Sequence, residues 1–155
     1  RQMCIRDRVY IIYAMNERTF IDWDERYSVG IPLIDEQHRG LVQMANELYE
    51  GCTQGEEAAR AYFSSVIKKA VAYVKEHFAT EERMLQEAGY PDFQVHKKQH
   101  EEFIRTILEE VKAFQEGRKF VPNHFARYLR DWTLEHIAVS DRAYKDFMAG
   151  RKGVP

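Results

Sequence analysis

The sequence predicts an all-α protein, an antiparallel up-down-up-down four-helix bundle preceded by an extended N-terminal arm. Apolar residues recur at spacings of three, four and seven in four successive segments, which is the period of one helix face. The 155 residues include 8 glycines and 4 prolines, and this scarcity allows long uninterrupted helices. No strand-like alternation of useful length is present. Short turns between the four segments make neighbouring helices antiparallel.

The N-terminal part of the chain divides into a leader and an arm. Residues 1–14 are basic and then briefly apolar, and they share no period with the rest of the chain. A signal peptide has that outline, but no small-x-small cleavage site comes after it. We expect a non-native or disordered leader, with a frayed native arm as the alternative, and a domain over 15–155 that starts at Met15. Residues 16–32 show no helical period and are expected to be extended.

The first two helices are predicted over 33–51 and 56–88. Pro32 and Asp35 are typical of a helix start. The apolar residues of the first helix keep the helical spacing: Leu33, Ile34, Leu41, Met44, Ala45 and Leu48. The second helix carries a comparable stripe that ends at Leu85, and two glycines bracket the turn between the helices.

The last two helices are predicted over 92–116 and 122–149. Gly89 and the proline two residues later separate the third helix from the second, because this pair of residues is typical of a helix end. Gly117 ends the third helix, and Pro122 begins the fourth. The chain contains no internal repeat and no low-complexity tract, so we expect the helices to form a single domain.

Composition argues against several classes of protein. The chain has 23 basic and 25 acidic residues, a net charge of −2, and nucleic-acid binding needs a basic surface. The longest apolar run, residues 9–15, is far short of the ~20 residues that span a bilayer, so no membrane partner is expected. Two cysteines without a CxxC motif argue against a disulfide framework and favour a reducing, cytoplasmic location.

Histidines at helical spacing are the most informative residues of the chain. The third predicted helix contains His96-x-x-x-His100, and the second contains His77-x-x-x-Glu81. A four-residue step places two side chains on one helix face, about 6 Å apart along the axis. Two imidazoles, or an imidazole and a carboxylate, at that separation can share a metal ion.

The first and fourth helices complete the set with His38, His136 and Asp141. Any one of these side chains on an apolar face is more often a hydrogen-bonded core residue than a ligand. Together, five imidazoles and two carboxylates lie among core-facing apolar residues. Burying all of them without partners would cost several kcal/mol each. A metal centre inside the bundle satisfies them together.

The donor set favours iron over other metals. A structural zinc site takes four ligands, usually with cysteine, whereas calcium and magnesium prefer oxygen shells. The HExxH motif of zinc proteases is absent. Imidazole with carboxylate suits iron, and two bridging carboxylates suit a pair of irons. Ferritin-like di-iron proteins carry Glu-x-x-His on two helices, whereas this chain has the related Asp35-x-x-His38 once.

One spacing predicts a local distortion of the fourth helix. His136 and Asp141 are five residues apart, which places them about 140° apart around a regular α-helix. Both can face one centre if the helix widens locally, so we predict a π-bulge between them. Tyr144 is expected either to contact a ligand or to pack in the core. His124 matches no ligand position and is expected to be exposed to solvent.

This set of residues resembles the ligand signature of the hemerythrins, and of their single-domain bacterial form in particular. The similarity covers about residues 20–149 and includes all seven ligand positions. The flanking residues agree as well: Trp23, Val29-Gly30-Ile31, Ile34-Asp35-Glu36-Gln37, Glu82, Tyr90, Trp132 and Tyr144. The resemblance implies a centre of two iron ions with an oxo or hydroxo bridge.

The resemblance also implies a role for each candidate residue. Three histidines would hold the first iron: His96, His100 and His136. Two histidines would hold the second iron: His38 and His77. Two carboxylates would bridge the ions: Glu81 and Asp141. The second iron has one ligand fewer, which would leave a position for dioxygen in an apolar pocket lined by Leu41, Phe78, Trp132 and Ile137.

The function implied by the resemblance is reversible dioxygen binding, for storage, transport or delivery, and not catalysis. One alternative is oxygen or redox sensing that a separate signalling protein reads. Another is an enzyme of peroxide, nitric oxide or iron chemistry, which would need a polar group beside the open position. No Lys, Arg or Ser falls at the pocket positions. An oxygen-consuming or signalling protein is the expected protein partner.

Overall fold

The computed structural model describes residues 20–118 and 121–151, and the predicted leader lies outside them. The described part is helical and contains no strand. A 3-10 turn and five helices succeed one another: Glu25–Tyr27, α1 Pro32–Thr53, α2 Glu56–Glu87, α3 Phe93–Gln115, α4 Pro122–Glu135 and α5 Arg142–Arg151. A π-helical segment, His136–Asp141, joins α4 to α5, and the three together form the fourth helix of the bundle. The predicted helix bounds agree to within two residues.

The bundle topology is confirmed. Helix α1 packs against α2 and α4, and α2 also packs against α3. The connection between α1 and α2 consists of two residues, so these helices must run antiparallel. None of the described helices combines the length and low charge that a bilayer crossing requires.

Hydrogen bonds hold the arm before α1 against the bundle at two points. The backbone amide of Ile21 donates to Asn46 Oδ1 at 2.7 Å, and Asn46 Nδ2 donates to the Ile21 carbonyl at 2.9 Å. Asp35 accepts from the Ser28 hydroxyl and the Val29 amide, both at 2.7 Å. The described part of the arm is extended as predicted, apart from the single 3-10 turn.

Two glycines shape the elements beside the candidate site. A Cβ on Gly40 would lie 2.1 Å from the hydroxyl oxygen of Tyr73. Its absence lets that hydroxyl reach the Gln37 carbonyl of α1 and donate to it at 3.1 Å. Gly89 has a φ of +64° and ends α2 in the left-handed conformation that glycine adopts without strain.

The core of the described residues contains three apolar clusters: a small one of Ile21, Val42 and Ala45 under the arm, and two others with a polar layer between them. The larger cluster contains Leu41, Phe78 and Phe103 and fills the bundle towards the α1–α2 turn. The smaller of these two closes the other end: Val29, Ile34, Leu85, Tyr90 and Tyr144. On α1, the buried His38 lies between the two clusters. The candidate site is therefore enclosed on both sides by apolar side chains.

Candidate metal centre

The polar layer contains all seven predicted ligands, and each of them is buried. The ligand atoms of six of them, all but Asp141, form two groups whose members lie within 4.8 Å of one another. We call them the three-histidine half, which contains Glu81, His96, His100 and His136, and the two-histidine half, which contains His38, His77 and Glu81. This division has the form that the resemblance implied, with Glu81 common to both halves.

The three-histidine half is compact. His100 Nε2 lies 2.9 Å from His136 Nε2, and His96 Nε2 lies 3.2 Å from Glu81 Oε2. Two ligands at right angles around one ion, each about 2.1 Å from it, are about 3 Å apart. The nitrogens and oxygens therefore have the separations of neighbouring ligands around a single cation.

The two-histidine half is more open. His77 Nε2 lies 4.0 Å from Glu81 Oε2, and the ring centroids of His38 and His77 are 4.9 Å apart. His38 Nε2 also lies 3.2 Å from Asp141 Oδ2. Helices α1 and α2 supply both histidines of this half.

The carboxylate of Asp141 connects the two halves. Its Oδ2 faces His38, whereas its Oδ1 lies 3.2 Å from His136 Nε2 and 3.6 Å from His96 Nε2. Glu81 uses Oε2 towards the histidines, and its Oε1 accepts a hydrogen bond from the Tyr144 hydroxyl. Each carboxylate is thus placed between histidines of both halves.

The π-helical segment is what brings Asp141 to this position. It spans His136–Asp141, as the five-residue spacing predicted, and it turns both side chains towards one centre. The widened turn exposes Val139, which has 65% of its surface accessible. One side of the π segment thus faces solvent, and the other side faces the candidate ligands.

Two hydrogen bonds outside the centre fix the tautomers of two histidines. A carboxylate and an amide carbonyl can only accept, so His100 Nδ1 donates to Glu82 Oε1 and His77 Nδ1 donates to Gln37 Oε1, both at 3.1 Å. A neutral ring that is protonated at Nδ1 presents an unprotonated Nε2 to the centre. Both rings are thus oriented as metal ligands are.

Four buried polar atoms in the described residues have no hydrogen-bond partner: Nδ1 and Nε2 of His38, and both carboxylate oxygens of Asp141. Buried polar atoms are normally paired, because leaving one unpaired costs about 1–3 kcal/mol. The unpaired Nε2 and oxygens all face the polar layer. A cation between the two residues would satisfy them, so the side chains present fit a metal centre.

Burial also perturbs the ionisation of the metal-free site. It lowers the pKa of His77 from 6.5 to about 3. Burial and the neighbouring charge of Glu81 raise the pKa of Asp141 well above its usual value. Burial opposes the ionisation of Glu81 as well, but without a metal the Nε2 atoms of His100 and His96 can carry protons, and their hydrogen bonds hold the pKa of Glu81 well below the usual range. A bound cation would allow both carboxylates to remain charged.

Aromatic rings cover the three-histidine half. Phe78 stacks on His100 at 3.7 Å between ring centroids, and Trp132 stacks on His136 at 4.3 Å. Leu41, Phe78 and Trp132 also line a cavity of about 240 Å³ whose walls are mostly apolar and which reaches the surface at Glu47 and Lys69. The fourth predicted pocket residue, Ile137, is buried but does not line this cavity.

Some contacts of the site could not be read from the sequence. Gln37 and Glu82 flank the ligand motifs, and the sequence alone assigns neither a role, although each lies next to a candidate ligand in the chain and bonds to a candidate ligand histidine. Tyr144 contacts a candidate ligand, the first of its two expected placements. His124 is exposed as expected.

The bundle buries five histidines in two groups, and two carboxylates lie between the groups. Such an arrangement defines a non-haem, dinuclear metal protein. The family model described as "Hemerythrin HHE cation binding domain" matches residues 29–147. The chain belongs to the hemerythrin family. It is a non-haem iron protein that binds dioxygen, and its cofactor is a pair of iron ions.

Individual relatives agree with this assignment. Bacteriohemerythrin of Stenotrophomonas maltophilia is 37% identical over 124 residues, 80% of this chain and 78% of that protein. Myohemerythrin of Theromyzon tessulatum is 30% identical over 123 residues, 79% of this chain and 89% of that protein. A crystal structure of wild-type hemerythrin superposes with a TM-score of 0.76 at 27% identity and covers 82% of this chain and 96% of its own.

Proposed function

We propose that this protein binds dioxygen reversibly, for storage, transport or delivery, and that it is not an enzyme. The ligand assignment is part of the proposal. His96, His100 and His136 hold one iron, and His38 and His77 hold the other, with Glu81 and Asp141 shared. When bound, the irons supply the dioxygen-binding centre and the electrons that binding uses.

The observation that carries the proposal is the apolar wall of the cavity beside the ligands. Leu41, Phe78 and Trp132 form this wall, and the aromatic rings of the last two stack on ligand histidines. An apolar wall excludes water and offers no proton to reduced oxygen, so it slows irreversible loss of the bound gas. Ile137, the residue after His136, is buried but lies outside the cavity, and we propose that it adds to the apolar surroundings of that histidine.

The remaining parts of the proposal concern the cell. The two cysteines and the absence of a CxxC motif support a cytoplasmic location. An oxygen-consuming protein is the proposed recipient of the gas. The alternative is a sensor, in which a signalling protein binds selectively to the oxygenated state. Both a carrier and a sensor would bind dioxygen reversibly.

The proposal is tested by the optical spectrum of the anaerobically reduced protein, before exposure to air, after exposure and after the oxygen is removed. We expect a colourless form to become coloured and then to return. A stable oxidised form without a reversible stage, or turnover of peroxide or nitric oxide, would refute the carrier function.

Variants of the cavity wall sharpen this test. Leu41→Ser introduces a hydroxyl into the cavity wall, one turn of α1 after His38, and is expected to accelerate autoxidation about tenfold or more, because the wall no longer excludes water and protons. The matched control is Leu108→Ser on the exposed face of α3, where the leucine is 44% exposed. Equal autoxidation rates in the two variants would show that the wall does not protect the centre.

A further inference from the structure

His77 and His100, one histidine from each half of the centre, differ in the charge of their outer hydrogen-bond partners. In the two-histidine half, His77 Nδ1 donates to Gln37 Oε1, a neutral amide. In the three-histidine half, His100 Nδ1 donates to Glu82 Oε1, a carboxylate. Both distances are 3.1 Å, so the geometry is matched and the charge is the difference.

A charged acceptor changes what an imidazole offers to a metal. When the Nδ1 proton is shared with a carboxylate, the ring gains electron density, and its Nε2 becomes a stronger donor. A stronger donor stabilises the more highly charged state of the ion that it holds. An amide acceptor does this to a much smaller extent.

The position of Glu82 preserves this effect. His100 is buried, and the Glu82 side chain is only 22% exposed, so solvent screens their interaction weakly. The second oxygen of Glu82 lies 3.8 Å from Lys97 Nζ at the surface. The carboxylate of Glu82 therefore contacts a surface lysine with one oxygen and a buried candidate ligand with the other.

We propose that Glu82 and Gln37 are positioning residues that make the two irons electronically unequal. The three-histidine half is the easier one to oxidise, and in half-oxidised protein the ferric ion is held there. This inference rests on the ligand assignment in the proposed function. It adds an order of oxidation that the ligands alone do not determine.

The test is a charge exchange at the two outer positions, measured by spectroelectrochemistry on iron-loaded protein. Glu82→Gln removes the charge and retains an oxygen that can accept the hydrogen bond. We expect it to shift the oxidation equilibrium of the three-histidine half about tenfold towards the reduced state, which corresponds to ~59 mV for one electron. Gln37→Glu is expected to shift the other half in the opposite direction.

Glu101→Gln is the matched control. Glu101 lies 3.9 Å from the same Lys97, so its removal changes the net charge and the surface ion pair in the same way. Its side chain is 64% exposed, and no contact with a candidate ligand is seen for it among the described residues. We expect no shift. An equal shift in Glu101→Gln and Glu82→Gln would reduce the effect to net charge and overturn the inference.

Mössbauer spectra of half-oxidised protein provide a readout that a purely structural role would not change. We expect ferric iron in the three-histidine half of the wild type and in the other half of the double variant Gln37→Glu/Glu82→Gln. Unchanged localisation in the double variant, with two irons bound, overturns the inference.

The outcomes also separate this inference from the proposed function. Reversible oxygenation of the wild type with unshifted variant potentials refutes the inference alone. Shifted potentials without reversible oxygenation refute the carrier function alone and support the inference. A wild-type protein that binds no iron pair refutes both.

Discussion

Replacing Tyr144 by phenylalanine tests how the buried Glu81 is held. Tyr144 is fully buried, and its hydroxyl donates to Glu81 Oε1. A hydrogen bond to a charged group contributes about 1.5–3 kcal/mol. For a chain of this size each kcal/mol corresponds to about 2–4 °C, so the metal-free variant should unfold about 3–12 °C below the wild type.

The effect should depend on the metal. Without a cation, the partners of Glu81 are the Tyr144 hydroxyl and the neighbouring imidazoles, so loss of the hydrogen bond lowers the free energy of unfolding by its full contribution. With iron bound, the ion stabilises the same carboxylate and offsets part of the loss. We therefore expect a smaller difference between variant and wild type in iron-loaded protein. Circular dichroism melting curves of both forms measure it.

Tyr90→Phe is the control for this experiment. Tyr90 packs in the same cluster, with its ring centroid 6.4 Å from that of Tyr144, but it is Tyr144 that bonds to Glu81. Removing its hydroxyl should change the melting temperature much less. If the two variants lose the same stability, or if Tyr144→Phe loses none, the hydrogen bond does not support Glu81 as we argue.

Three further predictions concern the whole domain. The metal-free protein should lose stability on acidification between about pH 6.5 and 3. The pKa of His77 is about 3 when folded, so the unfolded chain binds the proton first, and His77 alone contributes a loss of about 1.4 kcal/mol per pH unit. Urea titrations across this range check the slope, and a flat profile contradicts it. Asn46→Ala breaks both bonds to the arm and should cost about 1–3 kcal/mol and accelerate amide exchange of the arm, whereas Gln43→Ala on the exposed face should not. Chelation of iron should lower the melting temperature, because it leaves the buried His38 and Asp141 without hydrogen-bond partners, and an unchanged midpoint would show that they do not hold the metal.

Helix positions and candidate ligands could be predicted because they depend on local spacing. The four-residue steps in α2 and α3 place His77 with Glu81 and His96 with His100 through helix geometry alone. The five-residue step before Asp141 similarly indicated the π segment, since only a widened turn lets both ends face one point.

Contacts between elements distant in sequence could not be predicted in the same way. Gln37 meets His77 because Gly40 lets α1 approach α2 closely, and that approach depends on packing rather than on spacing. The bond of Tyr144 to Glu81 joins residues 63 positions apart. Ile137 likewise does not line the cavity, because it lies in the π segment, where the regular helical spacing no longer tells which way a side chain points.

The division of the ligands among the helices has a consequence for the order of assembly. The two-histidine half takes His38, His77 and Glu81 from α1 and α2, a hairpin joined by two residues, and only the shared Asp141 comes later in the chain. The three-histidine half needs α3 and the π segment, and the shared Asp141 at the end of that segment lies against His38 of the first helix. Because local contacts form before distant ones and synthesis proceeds from the N-terminus, we expect the first hairpin to gather its ligands while the rest of the chain is still emerging. The nascent protein would then meet its two metal ions in sequence.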